Sequence, residues 1–150
     1  MSASVTLRGY RVTDEAAALD LWRRSWQLAY PHIDFTARLD WWRERWRREL
    51  APTADIVIAE TAGQLVGFVT VDARTGYLDQ IVTAPETWGI GTAAALLAEA
   101  KRLAPTGLRL HVNQDNARAL RFYKKNGFVI AGPGPVSRSG AATYEMTWKP

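Results

Sequence analysis

Hydrophobic and polar positions along the chain follow two rhythms, one of period two and one of three to four. Residues Val5 to Gly9 alternate weakly and predict a first strand. Thr13 and Asp14 then offer a helix N-cap. Leu19, Trp22, Trp26 and Tyr30 recur at spacings of three and four, so they share one helical face, which Pro31 ends. Thr36 offers a cap for a second helix carrying Leu39, Trp42 and Trp46. After Pro52 the texture becomes β-rich. Ile56 to Glu60 and Leu65 to Val71 form a predicted hairpin across Thr61-Ala62-Gly63-Gln64, and Gly76 opens a third run that ends at Ala84 and Pro85. Ala93, Leu96, Leu97, Ala100 and Leu103 give a helical stripe that Pro105 and Gly107 close. Leu108 to Val112 is a further strand, and Asp115 caps a short predicted helix that stops at Gly127. Phe128 to Ala131 and Thr143 to Trp148 close the chain as strands around a Gly/Pro/Ser loop.

The predicted order is therefore β-α-α-β-β-β-α-β-α-β-β. It describes an α/β fold with a mixed sheet and helices on its faces, in a single domain over residues 1–150. No internal repeat or low-complexity tract divides it. Apolar residues make up 47% and charged residues 23%, as in a globular domain, and no apolar run reaches the roughly 18 residues of a membrane span.

Composition then removes several chemistries. Cysteine is absent, which excludes a disulfide framework, a thiol nucleophile and a thiolate metal site. The two histidines, His32 and His111, lie far apart, so no metal site is expected. The cytoplasm is the expected compartment, since the N-terminus lacks a charged-then-apolar signal pattern. The net charge of +4 suits an anionic ligand without specifying one. The basic, tryptophan-bearing stretch Trp41 to Leu50 raises nucleic-acid binding as a rival, but its aromatic and basic residues interleave at helix spacing, which predicts amphipathic packing instead.

Two segments carry candidate chemistry. The first, Glu86-Thr87-Trp88-Gly89-Ile90-Gly91-Thr92, follows a strand and opens a helix. Two glycines let the backbone turn tightly beside N–H groups that the first helical turn leaves unpaired, a cradle for a pyrophosphate. A loose dinucleotide-binding fingerprint fits Gly89, Gly91 and Ala94 as well, with Asp115 as its acid. Too little chain follows Asp115, however, to complete a doubly wound sheet. The second segment is Asn116-x-x-Ala119-x-x-Phe122-Tyr123-x-x-x-Gly127-Phe128. With the glycine turn upstream of it, this pattern resembles the GNAT N-acetyltransferases over roughly Leu78 to Ala131.

That resemblance implies acetyl-CoA as cosubstrate and direct transfer of its acetyl group to a primary amine in a ternary complex. Tyr123 then becomes the proton donor to the departing thiolate, with a phenol that stays protonated at neutral pH. Backbone groups of Ile81, Val82 and Thr83 become contacts for the pantetheine arm and the oxyanion. Thr87, Trp88, Gly89, Ile90, Gly91 and Thr92 hold the phosphates, and Asn113 and Asn116 bond the pantetheine amides or the helix end. Glu86 stands where the family usually has Gln or Arg, so it is expected to point outward or to accept helix N–H bonds. Asp79 and His111, on neighbouring strands, are the candidate general bases. A non-catalytic acyl-CoA-binding module of the same fold is the alternative.

Five of the seven tryptophans lie between Trp22 and Trp46. The resemblance places these helices beside the acceptor, a small molecule or peptide, in a protein expected as monomer or homodimer without nucleic-acid or membrane partners. Trp26, Tyr30 and Trp41 are the candidate acceptor contacts. Trp41 is the best of them, because it adjoins Trp42 and cannot share its face.

Overall fold

The computed structural model describes residues 4–150. Strand β1 (Thr6–Gly9) leads through a 3-10 turn (Val12–Asp14) into α1 (Glu15–Ala29). Next comes α2 (Leu39–Arg45), continued by a π-helical turn (Trp46–Leu50) and a single turn α3 (Ala51–Thr53). Three antiparallel strands follow, β2 (Asp55–Thr61), β3 (Gln64–Asp72) and β4 (Tyr77–Thr83), then α4 (Thr92–Leu103), β5 (Leu108–Asn113), α5 (Ala117–Lys125), β6 (Val129–Pro133) and β7 (Thr143–Trp148). The predicted order of strands and major helices is the observed one. The seven strands form one sheet in the order β1-β2-β3-β4-β5-β7-β6. Only β4 and β5 run parallel.

Local chemistry explains most boundaries. Ala62 and Gly63 both take positive φ, giving the two-residue turn whose twist suits the β2–β3 hairpin. Two predicted caps are corrected. Asn116, not Asp115, caps α5, its side-chain oxygen accepting the Ala119 N–H at 3.2 Å. Thr36 caps nothing, because Asp34 accepts the Ala37 N–H and the intervening residues form a turn that delays α2 to Leu39.

The sheet carries apolar layers on both faces. An added Cβ at Gly67 would meet Leu96 of α4 at 3.0 Å, whereas Phe68, the next residue along β3, packs its ring 5.3 Å from Trp46. Alternation thus puts α4 on one face and the tryptophan helices on the other. On the latter face Trp22 stacks on Trp42 at 4.8 Å, and Trp42 meets Trp46 edge-on. All three rings are buried, so they act as core. Trp41 is the exception among the neighbouring rings, at 36% exposure.

An ion-paired corner fastens β1 to α1. Arg8 makes a bidentate pair with Asp14 and reaches Glu60, while Asp14 also accepts the Arg11 N–H at 2.8 Å. These contacts hold the Asp14 carboxyl below its ordinary range, chiefly through the Arg8 hydrogen bonds.

Candidate active site

The site lies where the sheet comes apart. Strands β4 and β5 pair only at Tyr77 and Arg109, with the Arg109 N–H donating to Gly76 O at 2.9 Å. Beyond that point β4 still pairs with β3 but no longer with β5. The backbone direction follows from its hydrogen bonds. Gln80 N donates to Thr70 Oγ1 and Ala84 N to Val66 O, so the even-numbered residues turn toward β3. Ile81 and Thr83 therefore turn their N–H and C=O groups into the parting, whereas Val82 commits its own to β3. Of the three predicted backbone contacts, two face the opening.

A β-bulge shapes the same strand. The register with β3 shifts between Thr70 and Val71, leaving Asp79 as the extra residue on β4. Alternation is interrupted there, and Asp79 and Gln80 come to the same face. Asp79 consequently meets α2, where both its oxygens take a bidentate pair from Arg45 at 2.8 and 2.5 Å and one also accepts from Gln80 Nε2 at 3.2 Å. Pairing with Asp79 raises the Arg45 pKa. His111 is equally engaged. Its Nδ1 lies 3.0 Å from the Tyr77 hydroxyl and its Nε2 3.4 Å from Glu145. Both candidate bases therefore already have hydrogen-bond partners in this arrangement.

At one end of the parting stands the glycine turn. Gly89 and Gly91 adopt φ of +85° and +92°, and Gly91 is the N-cap of α4. An added Cβ at either would meet nothing within 4 Å, so conformation rather than crowding calls for glycine. Thr92 opens α4 with a buried hydroxyl that has no partner among the described residues, a donor suited to a phosphate oxygen. Trp88 ties the turn to β4, its indole N–H reaching Thr83 O at 3.2 Å. The Ser25 hydroxyl of α1 reaches the same carbonyl at 3.0 Å. Ile90 is exposed at the tip. Arg118 of α5 lies over the Trp88 ring, 3.7 Å from its centroid, with a pKa lowered first by burial and then by Arg121. Glu86 points outward as expected, 61% exposed and paired with Arg24 at 3.1 Å. Its own backbone N–H and Arg24 hold the Glu86 carboxyl low.

Tyr123 projects from α5 into an aromatic packet, with Phe122 and Phe128 rings 5.3 and 5.4 Å away. Its hydroxyl has no hydrogen-bond partner among the described residues, and burial pushes its pKa up. Asn113 does not stand alone as a ligand contact. Its amide donates to the Tyr30 hydroxyl at 3.0 Å, and that hydroxyl donates to Asp115 at 2.9 Å.

On the opposite side of the parting a cavity of about 180 Å3 opens between α1, α2, β4, β5 and the β6–β7 loop. Trp26, Tyr30 and Trp41 all line it, as do Gln80 and Asn113 from the diverging strands. Arg38, Arg45 and Arg138 also line it, and Arg38 and Arg138 had carried no signal in the sequence. Among the described residues no three His, Cys, Asp or Glu side chains gather as a metal site, and no helix is long and apolar enough to cross a membrane.

A turn that leaves helix N–H groups and an orphaned hydroxyl beside two parted strands fits a pyrophosphate-bearing thioester. The family model described as the acetyltransferase (GNAT) family matches residues 16–128. The chain belongs to the GNAT acetyltransferases. Acetyl-CoA is accordingly its cosubstrate, and it is an acetyl-CoA-dependent N-acetyltransferase. Among curated proteins it is 28% identical over 137 residues to the peptidyl-lysine N-acetyltransferase YjaB of Salmonella typhimurium, covering 91% of each chain. An uncharacterized N-acetyltransferase of Mycobacterium tuberculosis, Rv2669, is 39% identical over 88 residues, 54% of this chain and 56% of that one. Among solved folds, apo YjaB from Escherichia coli superposes with a TM-score of 0.79 at 24% identity, covering 97% of both chains. The PaiA N-acetyltransferase of Thermoplasma acidophilum, solved with coenzyme A, gives 0.75 at 20% identity over 98% of this chain and 99% of that one.

Proposed function

We propose that this acetyltransferase modifies a primary amine of a small molecule or peptide, by direct attack in a ternary complex at the β4–β5 parting. The single observation that carries the reading is positional. The glycine turn and Thr92 lie at one end of the parted strands, the aromatic cavity opens on the other side, and the backbone groups of Ile81 and the N–H of Thr83, none of them paired with β3, lie between them.

Acetyl-CoA, when bound, supplies an activated acetyl group. Gly89, Gly91 and Thr92 would hold its phosphates through backbone N–H groups and the Thr92 hydroxyl, with Arg118 adding positive charge beside Trp88, while the N–H groups of Thr87, Trp88 and Ile90 already donate within the turn. The Ile81 N–H is assigned as donor to the acetyl oxygen, a role that needs a group facing the gap. Thr83 anchors the strand through its carbonyl. Tyr123 is assigned as proton donor, since its raised pKa keeps the hydroxyl protonated throughout the neutral range. Asn113 and Asn116 are assigned to order, the first through Tyr30 and the second through the α5 cap. Asp79 and His111 are both committed to partners, which supports leaving the amine's proton to solvent.

Calorimetric titration with acetyl-CoA, with NAD as control, tests the first half of the proposal, and thiol release with an amine panel tests the second. Saturable binding and acceptor-dependent thiol release are expected. Binding without acetylation of any amine would favour the non-catalytic acyl-CoA-binding module instead.

A further inference from the structure

We infer that the acceptor is a compact aromatic or apolar amine that also carries an anionic group, read by Arg38 and Arg138 at the mouth of the cavity. The inference rests on the proposed function, because it assumes that this cavity receives the acceptor.

Charge carries the argument first. Among the described residues, the cavity wall contains three arginines and no aspartate, glutamate or lysine. Arg45 is neutralised by Asp79 and Glu49. Arg38 and Arg138 have no carboxylate partner among the described residues. Asp79 is engaged by Arg45, Asp115 by the Tyr30 hydroxyl and Asp34 by the Ala37 N–H. Such a wall repels a second cation on the acceptor and attracts an anion.

The rings give the second argument. A tryptophan-rich pocket can hold a cation by its ring faces. Here the protein's own guanidinium groups occupy such faces: Arg138 lies 4.1 Å from the Trp41 centroid, Arg45 5.4 Å from Trp42, and Arg38 5.5 Å from Phe35. A guanidinium held over a ring can still offer N–H groups for a two-pronged contact to carboxylate or phosphate; those of Arg45 are taken by Asp79 and Glu49, which leaves Arg38 and Arg138. Stacking also positions Arg138, whose loop is braced by Ser137 N to Ala141 O at 2.9 Å and Ala141 N to Ser137 Oγ at 3.0 Å.

The strands set the orientation. Gln80 and Asn113 come from β4 and β5 beside the parting, so the reacting amine belongs there and the anion at the Arg38–Arg138 end.

Three probes built on one ring isolate the charge: 4-(aminomethyl)benzoate and 4-(aminomethyl)benzamide, each with one primary amine, and 1,4-bis(aminomethyl)benzene, whose second, equivalent amine adds a positive charge. Each is titrated against the protein by tryptophan fluorescence and then assayed with acetyl-CoA for thiol release. The benzoate is expected to exceed the benzamide by about 10- to 100-fold in affinity and in kcat/KM, with the diamine weakest. In Arg38→Gln/Arg138→Gln the ratio of benzoate to benzamide should collapse toward one. Arg38→Lys/Arg138→Lys, which keeps charge but not the planar fork, should retain part of it. Equal affinity for the three probes, no binding of any at millimolar concentration, or a preference that survives the double glutamine change would overturn the inference. A fluorescence preference without thiol release would sustain the charge reading while sinking the acetylation of these amines. Efficient acetylation indifferent to charge would do the reverse.

Discussion

Replacing Asp79 separates a structural from a chemical role for the carboxylate that β4 carries at the parting. Its side chain is only 9% exposed, and Arg45 grips both oxygens. Arg45→Met would leave that carboxylate with Gln80 as its sole remaining side-chain donor. Stranding a nearly buried charge costs about 2–4 kcal/mol, which for a chain of this size lowers Tm by roughly 5–15 °C. Asp79→Asn is milder, because Arg45 keeps Glu49 and is partly exposed. A loss of about 1–2 kcal/mol is expected. The double change should cost less than the sum by at least about 1 kcal/mol, as coupled partners do. Urea unfolding of the four proteins gives these values directly. The same proteins are then assayed under saturating acetyl-CoA. If the carboxylate only braces α2 against β4, Asp79→Asn should reduce kcat less than tenfold, whereas removal of a general base typically costs 10²- to 10⁴-fold. An Asp79→Asn protein with unchanged Tm and a hundredfold lower kcat would refute the structural assignment.

Four further outcomes are expected. Tyr123→Phe should lower kcat by about 10²-fold or more with little change in acetyl-CoA affinity, and parallel losses in calorimetry and turnover would make it a packing residue. Gly91→Ala should destabilise by about 1–2 kcal/mol from the left-handed φ alone, since no atom obstructs its Cβ; Gly91→Asn should cost less in the same thermal melt. Glu86→Gln should change acetyl-CoA affinity by no more than roughly threefold, because the exposed carboxylate is screened and turned toward Arg24; a tenfold gain on titration would place its charge on the phosphates. Asp14 has a folded pKa below its unfolded one, so its stabilisation is present above the ordinary carboxylate range and lost as pH falls through the folded value. Asp14→Asn should therefore weaken the protein at pH 7 yet flatten its loss of stability in acid, as followed by urea midpoints across pH.

Much of this was readable from residue order. The period-two runs, the glycine turn and the Asn116-to-Phe128 pattern located every strand and both helices of the coenzyme side, because local periodicity and turn chemistry dominate there. Trp41 emerged as the exposed ring because adjacent residues on a helix face apart. The bulge at Asp79 was not readable, since a one-residue register shift depends on pairing with β3 rather than on β4 itself. Ser25 was missed for a related reason: it matters through one long-range contact, with Thr83, and carries no local signal. Arg38 and Arg138, a hundred residues apart, become a pair only when the β6–β7 loop closes over α2.

The single β4–β5 pair also means that the middle of this sheet should breathe like a margin. Amide protons of Ile81 and Thr83, though flanked by strands on either side, have no ladder partner across the gap and should exchange with solvent far faster than those of Val82 or Phe68. A bound coenzyme that takes up those N–H groups would act as a missing strand, slowing their exchange and joining β1–β4 to β5–β7 as one cooperative unit. The enzyme would then unfold as a stiffer body when loaded than when empty.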